Sequence, residues 1–319
     1  MKYIVTGAAG FIGSNLVDKL INDGHDVLGI DNLSTGRVEF LKQSVSSNKF
    51  TFIAGDITSK EFLCDSFVGC DFVYHLAANA DVRFGLNHPF KDIEQNIIGT
   101  FNVLEAMRAN NIFKIGFAST GSVYGESSQI PTFENAPFPI QTSLYGSSKL
   151  SGEALITSYC EGFNFEANIF RFVGILGERY THGHIFDFYK KLKKDPTQLE
   201  ILGDGKQKKS YLYVQDCLSA MLTAEKNMQQ NINIYNLGVD SYCEVVESVA
   251  VICRELKILP ELKFFGGVRG WVGDNPFIYL ETSKIRSLGW EPKFTIEQGI
   301  IKTIEYLRDN EWVLDDNSI

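Results

Sequence analysis

The stretch from Lys2 to Gly13 constrains this chain more than any other. Tyr3, Ile4 and Val5 form a short apolar run suited to a buried strand. Glycines follow at 7, 10 and 13, and Leu16, Val17, Leu20 and Ile21 then recur at helical spacing. The pattern reads strand, tight turn, helix. Glycine in such a turn lets the backbone come close to a pyrophosphate and lets the helix pack on the strand, while the N–H groups at the helix start attract the anion. Gly7, Gly10, Phe11, Ile12 and Gly13 are therefore candidate dinucleotide contacts. The spacing is Gly-x-x-Gly-x-x-Gly and not the commoner Gly-x-Gly-x-x-Gly, so the turn needs support from the rest of the chain. A signal peptide is the competing reading. A broken apolar run, the absence of a small-residue cleavage site and the polar Ser14, Asn15 and Asp18 argue against it.

With 319 residues the chain is long enough for one large domain or two smaller ones around an ample core. A formal net charge of −9 argues against nucleic acid as the main partner, so a small anionic ligand would need a local basic pocket. The six cysteines form no C-x-x-C pair and no disulfide framework, which suits a reducing cytoplasm. No apolar run approaches the ~20 residues of a membrane helix; a soluble protein is expected.

His25 to Ile30 reads as a second strand, ending in Asp31-Asn32-Leu33-Ser34-Thr35-Gly36. An acidic residue about 20 positions beyond the glycines is where a ribose diol is held, since one carboxylate can accept from both hydroxyls. Asp31 thus favours NAD, although nearby Arg37 leaves NADP open. Phe50 to Ala54 is a third strand closing on Gly55-Asp56-Ile57, and Asp71 to Leu76 a fourth closing on Ala77-Ala78. Small residues there leave room for a ligand over the carboxyl edge of a parallel sheet. Helical patterning runs from Pro89 to Asn110, with Ile93, Ile97, Phe101, Leu104 and Met107 as its expected buried stripe and Asn96 and Gly99 interrupting it. Ile112 to Ala118 is a fifth strand. This alternation predicts an α/β fold, a Rossmann-type doubly wound parallel sheet.

The fifth strand leads into Ser119-Thr120-Gly121-Ser122, and Tyr145-Gly146-Ser147-Ser148-Lys149 follows. Tyr and Lys four apart share a helix face. A phenol with an ordinary pKa of ~10 is a poor base at neutral pH, so proton abstraction requires an adjacent ammonium that favours the phenolate. Lowering that pKa by ~3 units is worth about 4 kcal/mol. Lys149 alone rarely supplies that, and a positive nicotinamide ring would add to it. The Thr120 hydroxyl is placed to hydrogen-bond a reacting oxygen.

The glycine turn, Asp31 to Gly36, Gly55-Asp56-Ile57, Leu76-Ala77-Ala78, Asn96 with Gly99-Thr100, Ser119 to Gly125 and Tyr145 to Lys149 together resemble the extended short-chain dehydrogenase/reductases that act on nucleotide sugars. The nearest likeness is to UDP-glucose/UDP-galactose 4-epimerases. The resemblance implies resident NAD held by Gly7 to Gly13, Asp31, Asn32, Ser34, Thr35, Gly36, Asp56, Ile57, Leu76, Ala77, Ala78, Asn96, Ser119, Tyr145, Lys149 and Phe172. It implies catalysis by Thr120, Tyr145 and Lys149, a nucleotide-diphosphate sugar as substrate, and a homodimer through the helices Pro89 to Asn110 and Tyr145 to Glu161.

Later motifs of that family are present but altered. Gly174, in Phe170 to Gly177, stands where such enzymes usually carry an Asn, and Lys209 stands for the usual Arg in Gly203 to Tyr211. Lysine neutralises a diphosphate but cannot grip it bidentately. Arg269 in Arg269-Gly270-Trp271-Val272-Gly273-Asp274 is displaced by two residues from the family's Arg-x-Gly-Asp loop. Thr120, Ser122, Gly174, His184, Lys209, Tyr211, Arg269 and Asp274 are the candidate substrate contacts. The expected division is a cofactor domain of 1–172 and about 212–240, and a smaller substrate lobe of 173–211 and about 241–319. Tyr213 to Lys226 and Ile232 to Leu237 return to the cofactor domain, and Ser241 to Leu256 and Thr295 to Leu307 are helices of the lobe. Thr181-His182-Gly183-His184 lacks a third ligand at a recognised spacing, so no metal is expected. Lys190, Lys191, Lys193 and Lys194 read as a solvated helix face. The tail from Glu311 to Ile319 is expected to be loose.

The related 4,6-dehydratases and decarboxylases place an acid directly after the threonine, where this chain has Gly121. The resemblance therefore implies C4 epimerisation through a 4-keto sugar. A reductase or another epimerase stays open, as does a non-catalytic NAD-responsive protein that reuses the fold.

Overall fold

The computed structural model describes residues 1–81, 84–138, 140–271 and 273–315, arranged as two compact units. The first comprises Met1–Val123, Leu144–Arg171 and Met221–Tyr235, and the second Tyr124–Ser143, Phe172–Ala220 and Asn236–Ile319.

The first unit is built on a seven-stranded sheet. Its strands lie in the order Ile232–Leu237, Glu166–Phe172, Lys114–Thr120, Phe72–His75, Lys2–Thr6, Asp26–Asp31, Phe50–Ala54. Lys2–Thr6 pairs in parallel with both Asp26–Asp31 and Phe72–His75, so the strand order reverses beside it. In doubly wound sheets that reversal opens a crevice at the carboxyl ends of the strands, where ligands bind. Continuous apolar runs in these strands follow from burial on both faces. Ile4, Leu28, Val73, Ile115 and Phe117 pack with Val103, Leu104 and Met107 in one core.

One predicted stripe is out of phase. Leu104 and Met107 are buried, but Ile93 and Phe101 are 45% and 40% exposed. Asp92–Ile98 is a π-helical stretch between the α-helical Pro89–Lys91 and Gly99–Ala109. A π turn takes in an additional residue, which rotates the face by about one helical position and turns Asp92 and Asn96 inward.

In the second unit, Tyr211–Tyr213 pairs in parallel with Gly174–Leu176, and Lys208–Lys209 lies between Cys243–Glu244 and Phe277–Ile278. The expected helix from Ser241 starts at Val245, after that short strand, because Glu244 and Glu247 form a capping box. Thr295 and Gln298 cap Ile296–Asp309 in the same way. The tail is tighter than expected. Glu311–Leu314 forms a 3-10 turn with Val313 buried, and Lys193 reaches Glu311 at 2.6 Å. Residues 316–319 lie outside the described residues. Among the described residues no helix is long and apolar enough to cross a membrane, and all six cysteines are free thiols.

Candidate active site

In the first unit, Gly7 has a φ of 70°, and a Cβ there would lie 2.8 Å from the Ala77 nitrogen. A Cβ on Gly13 would run into the Gly7 carbonyl oxygen. Strand end, turn and helix start are thus in backbone contact. No side chain caps the helix Phe11–Asn22 at Gly10, which leaves its N-terminal dipole for an anion. The buried Asp31 carboxylate accepts from the Ala9 N–H at 2.9 Å and the Leu33 N–H at 2.8 Å. It braces the glycine turn and retains acceptor capacity for a diol. Burial pushes its carboxyl above the usual range. Asn32 donates to Asp56 at 2.7 Å, and Ser34 donates to Asn32 at 2.7 Å. Burial opposes ionisation of Asp56, but hydrogen bonds from Asn32, Thr58 and Gln95 hold its carboxyl below the ordinary value.

Thr6 ties two strand ends together. Its Oγ1 accepts from the Leu76 and Ala77 N–H groups, both at 3.2 Å, and lies 2.8 Å from His75 Nδ1. The other ring nitrogen is 3.0 Å from the Thr100 hydroxyl, which donates to the Asn96 carbonyl. These partners suit a neutral imidazole protonated at Nε2. Burial, assisted by the Lys149 charge, pushes His75 down to about 3. The unfolded chain therefore takes up a proton near pH ~6.5 that the native state refuses. Stability from His75 is complete above that pH and drains as pH falls toward 3, by about 2 kcal/mol at pH ~5. Urea unfolding of wild type and His75→Gln at pH 5 and 7.5 is expected to show a shallower acid loss in the variant; parallel losses would reject this account.

Tyr145 and Lys149 lie on the helix Leu144–Phe163, and Thr120 ends the strand Lys114–Thr120. Thr120 hydrogen-bonds Tyr145, accepts from the Ser122 N–H at 3.1 Å, and has its hydroxyl 3.2 Å from that of Ser122. The Lys149 ammonium donates to the Ala118 carbonyl at 2.9 Å and sits 4.9 Å from the Phe117 ring centre. Burial and the Asp92 charge push Tyr145 up to about 12, against the Thr120 hydrogen bond. Burial lowers Lys149 to about 8, against the charges of Asp92 and Glu153. The protein groups by themselves thus keep the phenol protonated, and the ammonium is spent on a carbonyl. Ionisation of Tyr145 needs additional positive charge from a bound ligand.

Two candidate cofactor residues are committed to protein partners. Asn96 accepts from the Asn79 N–H at 2.8 Å and donates to Ser148 at 2.9 Å, and Ser119 donates to Glu153. The reading of the sequence missed Asp92, Ser148 and the Glu153–Arg171 pair. The one local signal was a polar residue four before Asn96.

In the second unit, Gly174 lies directly beside Tyr211 in the paired strands, and a Cβ at 174 would come 2.6 Å from the Tyr211 ring. An asparagine cannot stand there with Tyr211 in place, which accounts for that departure. Tyr211 reaches His184 Nδ1 at 2.5 Å, and His184 Nε2 reaches Ser248 at 2.9 Å. Ser248 donates to the Val245 carbonyl, so His184 suits the Nε2–H form with Tyr211 as donor. Burial and the Lys209 charge push His184 down to about 3. Both nitrogens are engaged by protein. Lys209 donates to Asp274 at 2.8 Å and to the Asn275 carbonyl at 2.7 Å, while Arg269 pairs with Glu126 and donates to the Asp274 carbonyl at 3.2 Å. Lys209, Arg269 and Asp274 are therefore together; Val272 of the same loop lies outside the described residues.

Residues 3–238 match the NAD dependent epimerase/dehydratase family. The UDP-glucose 4-epimerase of Mycolicibacterium smegmatis is 31% identical over 318 residues, spanning 97% of this chain and 99% of its own. UDP-glucuronic acid decarboxylase 1 of Arabidopsis thaliana is 30% identical over 320 residues, spanning 97% of this chain and 70% of its own. A crystal structure of UDP-galactose 4-epimerase superposes with a TM-score of 0.88 at 34% identity, over 98% of this chain and all of that one. With the family match covering most of its length and relatives aligned from end to end, the chain belongs to the NAD dependent epimerase/dehydratase family.

Proposed function

We propose that this chain is an NAD-dependent epimerase acting at C4 of a nucleotide-diphosphate sugar, of the UDP-glucose/UDP-galactose type. The observation that carries the reading is Thr120 hydrogen-bonded to Tyr145, with glycine and not an acid at 121. Dehydration or decarboxylation would call for an acid there.

The first unit fits NAD. The glycines let strand end, turn and helix start pack in backbone contact, the helix start offers an uncapped positive end, and Asp31 offers a carboxylate at the ribose position. Bound NAD+ supplies acceptance and return of a hydride. Tyr145 takes the proton of the sugar C4 hydroxyl as the hydride leaves, and returns it to the same oxygen once the 4-keto sugar has presented its other face. Thr120 orients that oxygen, and Lys149 carries the positive charge beside the phenol. In the second unit, Lys209 and Arg269 supply cations for the diphosphate, and the Tyr211–His184 pair fills the place of the missing asparagine.

The purified protein incubated with UDP-, dTDP-, GDP- and CDP-sugars is expected to give a stereoisomer without loss of water or carbon dioxide; a 4-keto-6-deoxy product rejects the epimerase reading. Cofactor released from that preparation is expected to be NAD(H), and mainly NADP(H) would overturn the role given to Asp31. Phe90, Ile93, Ile98 and Phe101 are exposed along residues 89–109. We read this face as the seat of a second copy, and a monomer mass in light scattering of the same sample would reject that.

A further inference from the structure

Asp92 is 1% exposed, on the π-helical stretch that the phase shift turned inward. Its Oδ1 accepts from the Asn79 side chain at 2.9 Å and lies 3.4 Å from the Asn96 amide nitrogen, which Asn79 also holds. Its Oδ2 is buried and has no hydrogen-bond partner among the described residues. That oxygen lies against Gly85, where any Cβ would collide with it, and Gly85 in turn faces Leu144, the neighbour of Tyr145. A buried carboxylate half satisfied by amides is costly, and burial pushes its pKa up, while the Asn79 hydrogen bond and the Lys149 charge favour its ionised form.

The frame around it leads to the catalytic helix. Asn96 is fixed by Asn79 at both its amide oxygen and nitrogen, and it donates to the Ser148 hydroxyl at 2.9 Å. Ser148 donates to the Tyr145 carbonyl at 2.9 Å. The same carboxylate acts electrostatically on both Tyr145 and Lys149. The other charged or titratable groups facing this set are Asp81, which acts on Asp92, and Glu153, which acts on Lys149 and is itself paired with Arg171; His75, held neutral, is acted on by Lys149. Asp92 is the member that acts on both halves of the pair.

We propose that Asp92 is a positioning residue for this reaction: its buried charge is the counter-charge of the Lys149 ammonium, and with Asn96 and Ser148 it holds the helix turn that carries Tyr145. The proposal rests on the catalytic reading of Tyr145. Its physical sense is proton control. A negative charge beside the pair keeps both protons in place until a cationic ring arrives, so that the base forms only when cofactor and sugar are present. Removing one buried negative charge must lower the pH at which each of Tyr145 and Lys149 gives up its proton.

The test is a pH titration of ultraviolet tyrosinate absorbance on the protein as purified with its cofactor, each form read against its own Tyr145→Phe counterpart so that the difference reports Tyr145. Asp92→Asn, which retains size and an acceptor oxygen, is expected to move the Tyr145 midpoint down by about one pH unit or more, a tenfold change in proton affinity. Asp92→Glu, which retains the charge, is expected to stay within a few tenths of a unit of wild type. Asp92→Ser is the second neutral variant if Asn does not fold. An unmoved midpoint in a folded neutral variant overturns the proposal. So does an equal shift in Asp92→Glu, which makes residue 92 a matter of packing alone, or a chain that folds with Glu but with neither neutral residue, which makes its charge a requirement of folding and not of the reaction. Failure of the underlying reading looks different: Tyr145→Phe would then turn over nucleotide sugar at a near-normal rate whatever residue 92 does.

Discussion

Replacing Tyr145 with phenylalanine is expected to lower turnover at least ~100-fold, the low end for a positioned acid-base group. The ring stays in place and only the hydroxyl that Thr120 holds is lost, so folding and cofactor retention should be preserved. Sugar binding is expected to hold as well, which puts the loss in kcat with little change in KM. The measurement is a steady-state rate with whichever nucleotide sugar the substrate panel identifies, beside the cofactor content of both proteins. A variant within tenfold of wild type would remove Tyr145 as the base. The direction of its pKa makes the test sharp. Because burial and Asp92 hold the phenol up to about 12, very little phenolate exists at neutral pH without a ligand, and the observed rate must include the work of forming it.

The largest expected effect on stability falls on Glu153→Ala. Glu153 and Arg171 form an ion pair with side chains 5% and 1% exposed, at 3.0 Å to Nε and 2.6 Å to Nη2, and Ser119 donates to the same carboxylate. This pair joins the helix Leu144–Phe163 to the strand Glu166–Phe172 and to the end of the strand that carries Thr120. Removing the acid leaves a buried guanidinium without its carboxylate, a loss of about 3–5 kcal/mol. Urea unfolding should show a lower midpoint with an unchanged slope. Replacing both partners by apolar residues of similar volume should recover much of it, since the buried charge is then gone. A loss below ~1 kcal/mol in the single variant would show that Arg171 is satisfied by other groups.

Much of the fold was legible because its signals are local. The strand-turn-helix at Lys2 to Asn22, the small residues at the strand ends and the alternation of elements through Thr120 are matters of backbone sterics and apolar period, which act over a few residues. The Thr295 and Gln298 capping box belongs to the same class. The misphased stripe at Ile93 and Phe101 has the opposite origin. A π turn is chosen by what the helix packs against, and nothing in the pattern of apolar residues marks it. Gly174 was visible as a departure, but its cause is the Tyr211 ring on a neighbouring strand 37 positions along the chain.

By itself the sequence determined the doubly wound sheet of the first unit, the glycine turn with Asp31, and the candidacy of Thr120, Tyr145 and Lys149, because each rests on residue type and spacing within a turn or two. Only the tertiary structure decided the charge state of that site. It placed Asp92 beside the pair, gave Lys149 the Ala118 carbonyl and joined Glu153 to Arg171. Burial and distance between elements remote in the chain set a pKa, and neither is a property of a short stretch of residues.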